Sequence, residues 1–322
     1  EKSLQALKTI DLAVLLISDN LWGTPEQDML KHIRDYELPC LIVHNKHDQT
    51  PLEAGLKKKI EKQTGIKLVE FSSTTRKHFD EVVNAIRQGI PETAYTAVSI
   101  FDGLVKPKDL VVLVTPIDSE APEGRMILPQ VMSIRNLLDH FCICVVVRET
   151  ELEDFLTRCA IRPAMVVTDS QAFETISAIV PNTIPLTGFS ILFARLKGDF
   201  EKYKEGTPQL GKLKDGDKVL ILESCTHHVS CDDIGRVKLP AWISKKTGKH
   251  LNYEVVSGLD KTQEPLNHYA IVIQCGGCVF TRKQVLNRLK PAIDAGVPVT
   301  NYGMSIAWLK GIFERAIQPF NR

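Results

Sequence analysis

Short apolar runs alternate with longer amphipathic stretches from one end of the chain to the other. That is the β-α-β rhythm of parallel sheets covered by helices. In the first ~90 residues strands are expected at 12–17, 40–43 and 67–71, with a helix opened by the capping box Thr24-Pro25-Glu26-Gln27. A further helix carries Phe79, Val82, Val83, Ile86 and Ile90 on one face. Three strands are too few for a stable doubly wound domain of its own.

The rhythm restarts with strands expected at 110–114, 142–147, 164–167 and 184–186. Between them lie a helix from Leu128 with Val131, Ile134, Leu138 and Phe141 turned inward, a helix capped by Thr150-Glu151-Leu152-Glu153, a helix from Ser170 and a last one ending near Tyr203. A Gly- and Lys-rich linker at 205–217 leads to a third unit, with strands at 219–222, 253–256, 269–273 and 297–300 and helices from Thr281 and near Ser305. The expected fold is therefore α/β, with three successive parallel-sheet domains at 1–92, 93–207 and 208–322. No internal repeat supports any other division.

Composition narrows the function more than the fold. The chain has 322 residues, 43% of them hydrophobic and 25% charged, enough to bury a core without a disulfide framework. Its 40 basic and 39 acidic side chains nearly cancel, to a formal charge of +1, so no overall field draws it to nucleic acid. The longest apolar runs, such as FCICVVV at 141–147, fall far short of the ~20 residues a membrane helix needs, and no signal pattern opens the chain. Eight cysteines spread through the length point to a reducing, cytoplasmic setting.

Three of those cysteines follow strands of the third unit. Cys225 lies in Glu223-Ser224-Cys225-Thr226-His227-His228, and Cys275-Gly276-Gly277-Cys278 ends the strand at 269–273, with Cys278 expected to open the next helix. If the strands are parallel, the three sulfurs converge at the carboxyl edge, where open α/β sheets bind ligands. A helix N-terminus there would favour thiolates, and the two glycines would let the backbone approach an inorganic core closely. Three readings fit: zinc held by Cys225, His227, Cys275 and Cys278, an iron-sulfur cluster on the three thiolates, or a C-x-x-C redox pair. Cys40, Cys142, Cys144 and Cys159 sit in apolar segments and read as small core residues, while Cys231, His228, Asp232 and Asp233 read as solvated loop.

A second signature closes the second strand. Asn45-Lys46-His47-Asp48 has the N-K-x-D form of a guanine-reading loop, whose carboxylate accepts both the ring N–H and the exocyclic amine that adenine lacks. Ser72 and Ser73 follow the next strand, where a backbone N–H would meet guanine O6. No G-x-x-x-x-G-K-[ST] occurs and no D-x-x-G precedes the first strand, so the segment is expected to recognise a base but not to hydrolyse GTP by itself. Both missing motifs are expected upstream of residue 1.

Taken together, N-K-x-D, Cys225-x-His227 and Cys275-x-x-Cys278, with Thr115-Pro116-Ile117-Asp118-Ser119-Glu120-Ala121-Pro122-Glu123-Gly124-Arg125 between them, resemble the HydF-type maturation GTPases of FeFe-hydrogenase along essentially the whole chain. The resemblance implies a truncated GTPase domain, a dimerisation domain and a 4Fe-4S cluster domain. It implies a scaffold that carries a diiron precursor to apo FeFe-hydrogenase alongside the radical-SAM maturases, acts as a homodimer or higher oligomer, and uses GTP and Mg2+ in the longer protein. Where the family commonly has H-C-x-x-C, this chain has Gln274 before Cys275, which leaves the fourth iron to His227, a carboxylate, water or the cargo itself. The alternatives are a zinc hydrolase or dithiol oxidoreductase fused to a GTPase remnant, or a GTP-dependent assembly module with incidental cysteines.

Overall fold

The computed structural model describes residues 6–7, 10–36, 38–90, 99–117, 126–224, 233–258, 260, 262–278 and 280–321. Its described strands form three sheets, every pairing parallel, in three successive α/β domains. The first sheet belongs to a compact unit, Glu1–Ala97, and the second and third pack together as another, Val98–Arg322.

In the first unit β1 (Ala13–Ile17), β2 (Cys40–His44) and β3 (Leu68–Glu70) lie in the order β1-β2-β3. The central β2 is buried along LIVH, because helices cover both faces of a parallel sheet. Its helices are α1 (Thr24–Asp35), α2 (Ala54–Thr64) and α3 (Phe79–Gly89). The edge strand β1 exposes Val14 and Leu16. Two expectations need correction. The N-cap of α1 is Gly23, not Thr24: its backbone N–H donates to Glu26 at 2.8 Å, so half of the capping box forms one residue earlier than the sequence suggests. On α3 only Val82 and Ile86 of the expected stripe pack against the apolar cluster on β2 and β3, and Phe79, in the first turn, is half exposed.

The middle sheet has the order β5-β4-β6-β7, from β4 (Leu110–Val114), β5 (Ile143–Val147), β6 (Met165–Thr168) and β7 (Leu186–Gly188). The all-apolar LVVLV of β4 is buried at every position, as a strand flanked on both sides requires. Its helices are α4 (Leu128–Asp139), α5 (Leu152–Arg158), α6 (Phe173–Ile179), α7 (Phe189–Lys197) and α8 (Phe200–Gly206). The helix expected from Ser170 begins as a 3-10 turn, Ser170–Ala172, and the N-cap of α5 is Glu151 rather than Thr150.

The larger correction concerns α4. Leu137 and Ser133 are buried and Ile134 packs against the core, but Val131 (48% exposed), Leu138 (56%) and Phe141 (77%) face outward. Ile143 and Val146 of β5, an edge strand, are also exposed, one on each face of the sheet. Helical periodicity identified an apolar stripe correctly and assigned it to the wrong side.

The third sheet, order β11-β10-β8-β9, comprises β8 (Lys218–Glu223), β9 (Asn252–Ser257), β10 (Ile271–Gln274) and β11 (Val299–Asn301). Three helices lie with it, α9 (Leu239–Thr247), α10 (Arg282–Asp294) and α11 (Tyr302–Leu309), and a short α12 (Phe313–Ile317) follows; α9 and α12 were not anticipated. Helix α7 joins the two sheets of this unit: Phe189, Leu192 and Phe193 enter the core of the middle sheet, while Ile191 and Ala194 enter the core of the third. Contact there is backbone-close. A Cβ added at Gly206 would fall 2.0 Å from the Val299 carbonyl oxygen, and one at Gly303 would fall 2.7 Å from the Cβ of Ser190.

Candidate functional site

The third sheet reverses its winding between β8 and β10: β9 lies beyond β8 on one side and β11 beyond β10 on the other. At such a switch point the loops leaving the two carboxyl ends part and open a crevice. Ser224 follows β8 there and Cys275 follows β10, with the Cys275 N–H extending the ladder to the Leu222 carbonyl at 2.9 Å. The crevice holds a cavity of about 170 Å³ lined by Glu223, Ser224, Asp233, Cys275, Gly277, Cys278 and their neighbours.

The sulfur of Cys275 is surrounded by donors. Ser224 N–H lies 3.0 Å from Sγ, the Ser224 hydroxyl lies 3.0 Å from it, and Gln274 Nε2 donates to Ser224 Oγ at 3.1 Å. The Cys275 thiol donates to Ser224 Oγ, so that oxygen accepts from both Cys275 and Gln274. Gln274 is fully buried and supports Ser224. The helix dipole expected to act on Cys278 does not: α10 begins at Arg282 with Thr281 as its N-cap, so Cys278 lies in the loop before it.

That loop is anchored from the neighbouring domain. Lys197, the last residue of α7, donates to the carbonyls of Gly277, Cys278 and Phe280 at 2.8, 2.8 and 2.7 Å. Three N–H donors meet three acceptors, which uses the ammonium completely. Burial pushes the Lys197 pKa down, and negative charge at Cys278 and Cys275 pushes it back up. Gly277 takes φ +62°, and a Cβ there would fall 2.9 Å from Val285 Cγ2, so the turn between the thiols requires glycine.

Opposite the thiols, Arg288 donates to the carbonyls of Glu223 and Val256 at 2.5 and 2.7 Å. Arg236 holds the Glu223 carboxylate at 2.8 Å. Tyr302 completes the wall: its hydroxyl finds no hydrogen-bond partner among the described residues, and burial pushes its pKa well up, so it stays a neutral phenol. Asp233, expected in solvated loop, is 3% exposed and caps the following π-helical turn. Lys197, Ser224, Arg288 and Tyr302 carry no motif and were not anticipated. Cys225 and His227, together with His228, Cys231 and Asp232, lie outside the described residues, although Ser224 and Asp233 on either side of that stretch both line the cavity.

In the first unit the N-K-x-D loop and the serines after β3 are joined. Asn45 Oδ1 accepts from the Ser73 N–H at 3.2 Å, and the Ser72 hydroxyl donates to Asp48 Oδ1 at 2.5 Å. Lys46 is exposed and left-handed, φ +59°, which turns the loop back toward β3, where the His47 N–H donates to the Phe71 carbonyl. Asp48 keeps one carboxylate oxygen outside that serine bond. Among the remaining cysteines, Cys142 is buried, while Cys40, Cys144 and Cys159 are partly buried.

Two family models match the chain. Residues 100–198 match the hydrogen maturase F dimerization domain, and residues 201–319 match the hydrogen maturase F tetramerization domain. Comparison with curated proteins gives no match. Three parallel α/β domains, two of them matched as oligomerization modules, define a self-associating maturation protein. The chain belongs to the hydrogen maturase F family, the HydF-type proteins of FeFe-hydrogenase maturation. Among the described residues no helix is long and apolar enough to cross a membrane.

Proposed function

We propose that the chain is the scaffold part of a HydF-type maturase, which holds a 4Fe-4S cluster at the carboxyl rim of its third sheet and delivers a diiron precursor to apo FeFe-hydrogenase. The observation that carries this reading is the crevice lined by Cys275 and Cys278 together with Ser224 and a glycine turn, whose loops and strand ends are held by the partly buried cations Lys197 and Arg288. Soft sulfur donors in a mostly apolar recess suit iron-sulfur or zinc chemistry, and the cations suit a cluster whose thiolates add negative charge.

In this reading Cys225, Cys275 and Cys278 are the thiolate ligands, and His227 or a weaker ligand completes the set. When bound, the cluster supplies an iron atom that incoming cargo can bridge. The chain's own residues do the positioning: Ser224 and Gln274 orient Cys275, Lys197 fixes the loop of Cys278, and Tyr302 with Ile234 screens the recess from water. Asn45, Lys46, Asp48, Ser72 and Ser73 recognise the guanine of GTP, with Mg2+ and the phosphates held by parts of a longer protein. GTP then acts as a switch on partner exchange with the hydrogenase and the radical-SAM maturases, not as chemistry on the cargo.

Self-association runs through the outward face of α4 and β5. Val131, Leu138 and Phe141 are exposed apolar side chains, Ile143 and Val146 are exposed on the two faces of β5, whose outer edge is unpaired among the described residues, and two such edges related by a two-fold axis would pair into one continuous sheet.

Anaerobic reconstitution with iron and sulfide, read by metal analysis and EPR, tests the site. Cys225→Ser, Cys275→Ser and Cys278→Ser each lose the cluster, and His227→Ala retains one with an altered spectrum. A colourless protein containing zinc alone, or a full cluster signal in any of the three serine variants, refutes the assignment.

A further inference from the structure

Three side chains of the types that ligate metals gather in the first unit, separate from the cysteines. His47 is the third residue of the Asn45–Asp48 loop, Glu70 ends β3, and His78 is the N-cap of α3. One ligand atom from each lies within 4.8 Å of the other two. We propose that His47, Glu70 and His78 bind one divalent transition-metal ion of the zinc, cobalt or nickel type, which ties the Asn45–Asp48 loop to the start of α3.

The donor set selects the ion. Two imidazoles and one carboxylate suit these metals, whereas calcium and magnesium prefer all-oxygen shells. Tetrahedral metal–ligand bonds of about 2.0–2.2 Å would draw the ligand atoms together by at most about 1.5 Å, a rotamer-scale adjustment. Water would fill the remaining coordination positions.

Each ligand is already oriented. Glu70 Oε2 lies 2.9 Å from His47 Nδ1, yet Nδ1 is buried and the contact lacks hydrogen-bond alignment. Lys57 lies 3.4 Å from the other carboxylate oxygen, and Lys77 lies 3.4 Å from the other ring nitrogen. The two lysines thus take Oε1 and Nε2 and leave Oε2 and Nδ1 facing each other. His78 stands edge-on to His47, ring centroids 5.6 Å apart, and its Nδ1 lies 2.7 Å from Glu81 Oε1. A carboxylate behind one ring nitrogen fixes the tautomer and leaves the lone pair on the other, the usual support of a metal-bound histidine.

A fourth residue adds independent weight. His44 pairs in register with Glu70 on the neighbouring strand, is fully buried, and finds no hydrogen-bond partner for either ring nitrogen among the described residues. An ordinary surface ion pair would align N–H with carboxylate and would not gather a second histidine with its own carboxylate support. Should Asn45 and Asp48 read guanine as proposed above, the ion would also hold the two base-contacting loops in one arrangement. Metal binding itself does not depend on that reading.

The test titrates zinc into the full 322-residue chain carrying Cys225→Ser, Cys275→Ser and Cys278→Ser, so that the thiols do not compete. Binding is followed by the imidazole Cε1–H NMR signals of His47 and His78 and by chelator competition. One equivalent should shift both signals, Glu81→Gln should weaken binding about 10–100-fold, and His47→Ala or His78→Ala should abolish it. Signals that stay in place at saturating zinc, or affinity unchanged by His47→Ala, overturn the proposal. The NMR titration of this triple-serine chain with His47, His78 and Glu81 intact decides the matter even if one of the further variants fails to fold. Because the cysteine ligands are absent, neither outcome bears on cluster binding.

Discussion

Replacing Lys197 with methionine keeps most of the side-chain volume and removes one ammonium, leaving the carbonyls of Gly277, Cys278 and Phe280 without their donor. The Gly277 carbonyl keeps the Phe280 N–H at 3.0 Å; each bond lost at a carbonyl left dry costs about 1–3 kcal/mol, and less where water reaches the half-buried loop. Relief from burying the ammonium offsets part of this, so a net loss of about 3 kcal/mol is expected. Spread over the unit Val98–Arg322, that corresponds to a fall of roughly 6–12 °C in its unfolding midpoint. Calorimetry on the metal-free chain measures this directly. A second readout separates positioning from stability: on the reconstituted protein at a temperature where both chains are folded, iron release to a chelator should be faster in Lys197→Met. Lys197→Arg should restore little, because a planar fork does not direct three donors at three converging carbonyls. A midpoint within about 1 °C of the parent chain, together with unchanged iron release, would refute the claim that this lysine fixes the loop.

Two further outcomes follow from other parts of the molecule. Phe141→Asp combined with Val146→Asp places carboxylates on the exposed apolar face of α4 and β5, at a cost of several kcal/mol if that face is buried between copies. Light scattering should then report a smaller oligomer of folded chains, and an unchanged mass would move the interface elsewhere. Burial pushes the Cys40 thiol up to about 11, outweighing the backbone N–H of Leu15 and the charge of Arg34. At pH 8 only about one thousandth of it is thiolate, so native alkylation followed by mass spectrometry should accelerate about tenfold per pH unit toward pH 11. A plateau near pH 9 would contradict the burial.

The local code of this chain is strong where a single segment suffices. Runs such as LVVLV and VLIL can only be strands buried on both faces, and their alternation with amphipathic helices requires parallel sheets. Thr281, three residues before Gln284, announced the start of α10, because a capping box is closed by residues within one turn. The C-G-G-C and N-K-x-D segments were legible for the same reason, as each packs its chemistry into four consecutive residues. What the sequence left open depends on partners distant along the chain. The stripe of Val131, Leu138 and Phe141 has helical period, but period does not say which side faces a core and which faces another molecule; the packing of α4 against α7 and β5 decided that. Lys197 reads as an ordinary helix-end lysine until the fold brings Gly277, 80 residues away, within 2.8 Å of its ammonium. His47, Glu70 and His78 likewise meet only because β2 and β3 end, and α3 begins, at the same edge of the first unit. Charge and hydrogen bonding at a site add up in space, and strand order, which no local signal encodes, determines which side chains share that space.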